Sequence, residues 1–321
     1  MQYTTIAGRQ VSAMSLGTVQ LGMNYGIANR EGKPDTAKSF SILSAAIDAG
    51  ITALDTARKY GDSEEVIGAF LKNNPDAKDK FFITTKLSSD LPAGSSNSDV
   101  EKKLVQSVET SLKNLGLSKV NCLLLHNPAD MTLHGSVVAN TLRRIVAQGM
   151  TDTAGVSVYH PDEADLLLKD DVYQSVQLPM NIFDQRFITS GALERLHHKN
   201  IHVFVRSAFF QGLFFLDPDA ITDPDLVRCA VPHIKTLRQL SDKAGMSIAQ
   251  FAISFLRSLP GIKSLVLGAD NPEQVIENAS LFGVNPLDGE LLNLAASSFK
   301  DIDYPGIMAV LSRPKQSTTS P

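Results

Sequence analysis

Short apolar runs of strand-like composition alternate with longer stretches of helical periodicity from residue 13 to residue 283. The runs are Ala13–Thr18, Thr52–Thr56, Phe81–Leu87, Val120–His126, Ala154–Tyr159, Ser175–Pro179, His202–Ser207 and Lys263–Gly268. A helical stretch follows each one. Strands that alternate with helices pair in parallel, because the crossover helix returns the chain to the same end of the sheet. Eight such units predict an α/β chain closed into a (β/α)8 TIM barrel. Residues 3–12 (YTTIAGRQVS) read as a hairpin turning at Ala7-Gly8 and placed to plug the barrel floor, and Gly289–Phe299 reads as a further amphipathic helix.

Local signals set the helix boundaries. Pro34-Asp35 opens Thr36–Ala49, closed by Gly50, and Asp99 precedes Val100–Leu115, closed by Gly116. Ser63 heads Glu64–Lys72, with Glu64 and Glu65 in the first turn, where the helix dipole favours acids. Asn271-Pro272-Glu273 has the order of an N-cap, a proline at the first helical position and an acidic first turn. Two Asp-Pro steps make Leu213–Leu226 a loop excursion over the barrel mouth. Asp90–Ser98 is flexible by its Ser and Gly content, and the closing RPKQSTTSP reads as a disordered polar tail. The whole chain, 1–321, is expected to form one barrel domain: hairpin 3–12, barrel 13–283, C-terminal helix and tail 287–321.

Composition narrows the function classes. A length of 321 residues fits one barrel of about 250 residues with decorations. The 30 basic and 34 acidic residues give a net charge of −4 with no lysine or arginine tract, which argues against nucleic acid or an anionic membrane as partner. Cys122 and Cys229 lie outside any CxxC or Cys/His cluster, so neither a disulfide scaffold nor a metal site is expected. The start, MQYTTIAGRQ, lacks the regions of a signal peptide and no segment approaches 18 apolar residues, from which a cytoplasmic protein is expected.

Barrel active sites form where strands end, so polar residues that close apolar runs are the candidates. The second run carries Asp55 at its tip, with Tyr60 five residues on; the third carries Lys86 at its tip, and the fourth ends at His126. A buried ammonium is costly unless paired, and Asp55 on the adjacent strand is a partner for Lys86. A cation beside a phenol lowers its pKa from about 10, so Lys86 would tune Tyr60. Such a tyrosine can protonate a carbonyl oxygen while hydride arrives at carbon, with His126 orienting that oxygen.

The order GT (Gly17-Thr18), DTAxxYGxSE (Asp55 to Glu64), TK (Thr85-Lys86), LLLHNP (Leu123 to Pro128), GVS (Gly155 to Ser157), QLPMN (Gln177 to Asn181), RSAFFQGL and GADNPEQVIEN resembles the aldo-keto reductase superfamily from about residue 3 to residue 283. The resemblance implies an NAD(P)-dependent oxidoreductase acting on a small carbonyl or alcohol, with a tetrad of Asp55, Tyr60, Lys86 and His126 and the nicotinamide cofactor extended across the mouth. Gly17, Thr18 and Gln177 correspond to residues near the nicotinamide, as does Asp55, and Ser157 to a carboxamide contact. Val158 stands where Asn is common. Arg206 replaces an aromatic that stacks on the nicotinamide, a role a guanidinium plane can also fill. Ser207 follows it in the same motif. The segment Phe209 to Leu213, with Gly212 allowing close approach, corresponds to the chain over the pyrophosphate, and most of its aromatics read as lid packing. Gly268, Ala269, Asp270, Gln274, Glu277 and Asn278 correspond to the adenosine end.

Relatives that use NADP tend to carry Arg, Lys or Ser where Asp270 stands and often Arg at Gln274, so NAD(H) is expected over NADP(H). Gln20, Asn24 and Tyr25 at the mouth, with Tyr60 and His126, favour a polar aldehyde, ketone or sugar, since each buried hydroxyl needs a partner. Two other readings compete: a nucleotide-binding regulator on the same fold, and, from the residues alone, an aldolase with Lys86 as Schiff base or a metal hydrolase, the last disfavoured because the first strand carries no His-x-His. His197, His198 and His202 lie at the wrong end for catalysis.

Overall fold

The computed structural model describes residues 1–25, 32–87, 92 and 94–313. Two short strands come first, β1 (Tyr3–Ile6) and β2 (Arg9–Ser12), paired antiparallel through a turn in which Ala7 and Gly8 both have positive φ, 47° and 77°. That is the geometry that matches the twist of a tight hairpin. All the expected runs then appear as barrel strands: β3 (Met14–Gly17), β4 (Ala53–Asp55), β5 (Phe82–Leu87), β6 (Val120–Leu125), β7 (Thr151–Ser157), β8 (Tyr173–Pro179), β9 (His202–Arg206) and β10 (Ile262–Gly268). They pair in parallel in chain order, and β10 closes against β3 through Gly268 opposite Gly17.

Alternation along each strand divides the core. Leu54, Ile83, Leu123, Leu125, Val203 and Val205 point outward into the large layer between barrel and helices. Ala53, Phe82, Cys122, Leu124 and Phe204 point inward and meet Ile6 and Val11, so the hairpin does plug the floor. Phe82 and Phe204 stack there at 6.3 Å. Above the floor the interior turns polar, with Ser15 Oγ 2.8 Å from Ser264 Oγ and Ser175 Oγ 3.3 Å from Thr153 Oγ1.

Several boundaries differ from the sequence reading. β7 starts at Thr151, not Ala154, because the polar Thr151-Asp152-Thr153 satisfies its side chains in place: Asp152 binds Lys119 at 2.6 Å and Asn121 at 3.1 Å. The helix expected to follow Asp99 covers Asn97–Leu115, because Ser96, not Asp99, is the cap; Ser96 Oγ accepts the Asp99 N–H at 3.2 Å. Asn97 and Ser98 are therefore helical, and the remainder of Asp90–Ser98 falls partly outside the described residues, as does the tail beyond Arg313. The excursion after β9 is more ordered than expected, with a 3-10 segment Phe210–Phe215 and a short helix Pro224–Cys229. Gly289–Phe299 is helical as expected, and a second helix, Tyr304–Leu311, capped by Asp303, follows it. No helix among the described residues is long and apolar enough to cross a membrane.

Candidate active site

At the mouth, β4 ends in Asp55 and β5 carries Lys86 one turn of the pleat above Thr84, so both side chains point into the barrel. Lys86 is 1% exposed and Asp55 4%. Lys86 Nζ donates to Asp55 Oδ1 at 2.8 Å and Oδ2 at 2.7 Å, to the Thr56 carbonyl at 3.1 Å, and lies 3.2 Å from the Tyr60 hydroxyl. His126 follows the last residue of β6, and its ring stands edge-on to Tyr60 with centroids 5.9 Å apart. The four residues separated in sequence by up to one quarter of the chain thus meet at one place, with the phenol at its half-buried rim.

The electrostatics correct one expectation. Burial pushes the Tyr60 phenol upward; Lys86 pulls it down, Asp55 raises it and Arg206 lowers it, and the balance stays above the ordinary 10. Burial alone would depress the Lys86 ammonium, yet the Asp55 carboxylate and the phenol hold it above 10.5. Lysine therefore moderates the phenol without bringing it below its ordinary value, because desolvation outweighs a single neighbouring cation that is itself neutralised by Asp55.

Tight packing fixes the loop that carries Tyr60. Gly61 has φ of 57°, and a Cβ on Gly22 would lie 1.7 Å from the Tyr60 carbonyl oxygen, so only glycines let these backbones meet. Thr18, buried, donates from its N–H and its hydroxyl to the Asp55 carbonyl, both at 2.9 Å, and its hydroxyl also accepts from Ser63 at 2.8 Å. Gln177 is buried as well, and its Nε2 donates to Asp55 Oδ1 at 2.7 Å. These bonds, which residue order along the chain does not reveal, make Thr18 a support for the Asp55 backbone and Gln177 a support for its carboxylate.

Around the rim, Ser157 is buried at the end of β7 and Arg206 closes β9. The Arg206 guanidinium lies 4.5 Å from the Tyr159 ring centroid and donates to the Val158 carbonyl at 3.3 Å, so the two departures from the family pattern touch one another. Ser207, Phe210, Gln211 and Gly212 have φ of 65°, 49°, 55° and 91°. Left-handed backbone costs about 1–3 kcal/mol at each non-glycine position. The buried Phe210 ring holds it in place, packed on Phe183 and stacked at 4.8 Å on Tyr304 of the last helix. Phe214 is likewise buried on Phe183 and Leu213 is buried, whereas Phe215 is exposed. Most of these aromatics are packing, as expected.

Beyond β10, Asn271 caps the helix Pro272–Ser280, its Oδ1 accepting the Gln274 N–H at 2.8 Å. Gln274 Oε1 accepts the Asp270 N–H at 2.7 Å, and Asn278 Nδ2 donates to the Gly268 carbonyl at 3.0 Å. Gln274 and Asn278 thus shape the 268–270 turn from within. Gln20 lies against Gly268, where a Cβ would fall 2.3 Å from its Nε2, and its buried Oε1 has no hydrogen-bond partner among the described residues. Asn24 Oδ1 accepts the Lys33 N–H at 2.7 Å, Tyr25 is 53% exposed, and the residues after it lie outside the described ones. His197 and His198 end a helix and His202 begins β9, all away from the mouth.

A family model described as the aldo/keto reductase family matches residues 13–297. The chain is 26% identical over 309 residues to L-glyceraldehyde 3-phosphate reductase of Escherichia coli, covering 86% of each. It is 28% identical over 244 residues to 6-dehydroglucose reductase of Agrobacterium fabrum, covering 73% of this chain and 78% of the relative. Its fold is similar to that of a holo-form aldo-keto reductase from Bacillus halodurans, with a TM-score of 0.72, 18% identity, and 93% and 96% of the two chains covered.

Proposed function

The chain belongs to the aldo/keto reductase family, oxidoreductases of small carbonyl compounds that use a nicotinamide cofactor, and from that premise we propose that Tyr60 is its proton donor. The observation that carries this reading is the buried ammonium of Lys86 shared between Asp55 and the Tyr60 hydroxyl. A nicotinamide bound at this mouth would supply the hydride for reduction and accept it in oxidation. Tyr60 Oη gives its proton to the substrate oxygen as the carbonyl becomes an alcohol, and takes it back in reverse. The phenolate left behind is stabilised by Lys86, held in place by both Asp55 oxygens. His126, at the edge of the same ring, orients the oxygen by hydrogen bonding.

The mouth suits the cofactor. Gly17 and Gly268 lie opposite each other on β3 and β10, Gln20 packs over Gly268, and its buried Oε1, without a partner among the described residues, is an acceptor that a cofactor's donor group would satisfy. Ser157 and Arg206 would meet its nicotinamide end, Ser207, Gly212 and Leu213 would line its pyrophosphate, and Asp270, Gln274 and Asn278 its adenosine end. Gln20, Tyr25, Tyr60 and His126 would meet the substrate, a polar aldehyde, ketone or sugar. The names of two relatives, reductases of L-glyceraldehyde 3-phosphate and of 6-dehydroglucose, support that class.

The pH dependence follows from the direction of the shifts. Reduction needs the protonated phenol, and oxidation the phenolate. With the phenol above 10, reduction should hold its rate through neutral pH and fall only in the alkaline range, while oxidation should climb with pH. The ammonium, also raised, keeps its charge across that range. Steady-state kcat/KM in both directions checks this; a reduction rate that falls near neutrality contradicts it.

For the cofactor, we infer a preference for NAD(H). No Lys or Arg occurs from residue 268 to residue 280 to meet a 2′-phosphate, Asn271 takes the helix cap, and the acid at the turn before it, Asp270, is of the type that accepts from ribose hydroxyls. Against a 2′-phosphate, a like charge in a screened groove costs about 1–2 kcal/mol, roughly tenfold in affinity. Asp270→Arg should narrow or reverse the ratio of kcat/KM for the two cofactors. A wild-type protein that works better with NADP(H) would contradict this while leaving the tetrad reading untouched.

A further inference from the structure

Glu64 is a carboxylate at 1% exposure that the chemistry above does not use. It lies in the first turn of the helix Ser63–Asn73, where an acid facing solvent would already gain about 0.3–1 kcal/mol from the helix dipole. The side chain turns inward instead. Its Oε1 accepts the Thr85 hydroxyl at 2.7 Å and its Oε2 accepts Arg58 Nη1 at 2.7 Å, with Asn114 Nδ2 at 3.5 Å. Thr85 immediately precedes Lys86. Arg58 stands between Asp55 and Tyr60 in the loop, and its own N–H donates to the Lys86 carbonyl at 3.2 Å. One carboxylate therefore ties the strand that carries the ammonium to the loop that carries the phenol. A buried charge is retained at a cost of several kcal/mol unless its partners are well placed, and here the two closest, Thr85 and Arg58, flank reacting residues.

We propose that Glu64, acting through Arg58 and Thr85, is a positioning residue that sets the separation of the Lys86 ammonium and the Tyr60 hydroxyl. This rests on the tetrad reading above. Glu64 itself reaches neither substrate nor cofactor; it fixes the relative height of strand β5 and the 56–61 loop, and a misplacement of about 1 Å between reacting groups can cost on the order of 100-fold.

Glu64→Gln keeps an acceptor for Thr85 and leaves Arg58 without its counter-charge; Arg58→Met breaks the same link from the partly exposed side. In both, kcat for carbonyl reduction should fall about 10–100-fold, while the calorimetric Kd for reduced nicotinamide keeps its wild-type value. The alkaline rise of alcohol oxidation should move to higher pH as the phenol draws away from Lys86, with its other charged neighbours, Asp55 and Arg206, unchanged. Arg58→Lys, which restores a cation, should recover part of kcat. A purely structural Glu64 gives another pattern: a lower Tm and a smaller cofactor-binding fraction, with kcat per binding site and the pH profile as in wild type. That pattern, or wild-type kcat in both variants, overturns the proposal. If Glu64→Gln does not fold, Arg58→Met carries the same readouts. A wild-type protein without turnover, or an active Tyr60→Phe, would defeat the tetrad reading itself; an inactive Tyr60→Phe beside wild-type Glu64→Gln and Arg58→Met would defeat only this inference.

Discussion

Tyr60→Phe is expected to lower turnover by roughly 10²–10⁴-fold, the contribution of a positioned general acid, and to leave the affinity for reduced nicotinamide at its wild-type value. The substitution removes one oxygen from a ring whose other contacts survive: His126 stays at its edge and Lys86 Nζ at 4.8 Å from its centroid. Lys86 loses one partner of four and keeps both Asp55 oxygens and the Thr56 carbonyl, so the fold should tolerate the change. Kinetics and calorimetry on the same preparation separate the two effects. Parallel loss of binding and turnover would make Tyr60 a structural residue of the mouth.

Lys86→Met should abolish turnover and destabilise the protein together. The variant leaves Asp55 in a site of 4% exposure with Gln177 Nε2 as its remaining side-chain donor among the described residues, and removing one member of a buried pair costs about 3–5 kcal/mol. Adding Asp55→Asn to Lys86→Met removes the stranded charge, so the double variant should regain much of the stability and none of the turnover. Denaturant unfolding and steady-state assays check the pair. A double variant as unstable as the single one, or an active single variant, would contradict this account of the ion pair.

Much of the fold was legible because a parallel barrel strand buries both faces: runs such as FFITTKL and VNCLLL leave few alternatives, and a charged residue inside them has to be at the mouth and paired. Asp55, Lys86 and His126 stood out for that reason. The start of β7 did not, because Thr151 and Asp152 are polar and the partners of Asp152, Asn121 and Lys119, belong to another strand and its approach. The helix Tyr304–Leu311 was not separated from the C-terminal region either; it is short, and its place depends on Tyr304 meeting Phe210 almost a hundred residues away. The inward turn of Glu64 and the bond from Gln177 to Asp55 likewise depend on tertiary neighbours. The direction of the Tyr60 shift is a balance of burial against charge, and burial is a property of the folded chain alone.

The most direct test of the central claim is a single turnover. Protein preloaded with reduced nicotinamide is mixed with a polar aldehyde such as glyceraldehyde, and the cofactor's absorbance and the alcohol product are followed together. A carbonyl reductase with Tyr60 as donor should oxidise one equivalent of cofactor and form one equivalent of alcohol in the wild type, with Tyr60→Phe binding the same cofactor and leaving it reduced. Wild-type protein that binds the cofactor yet leaves it reduced across a panel of sugars and aldehydes would contradict the account and make the chain a nucleotide-binding protein on a reductase fold.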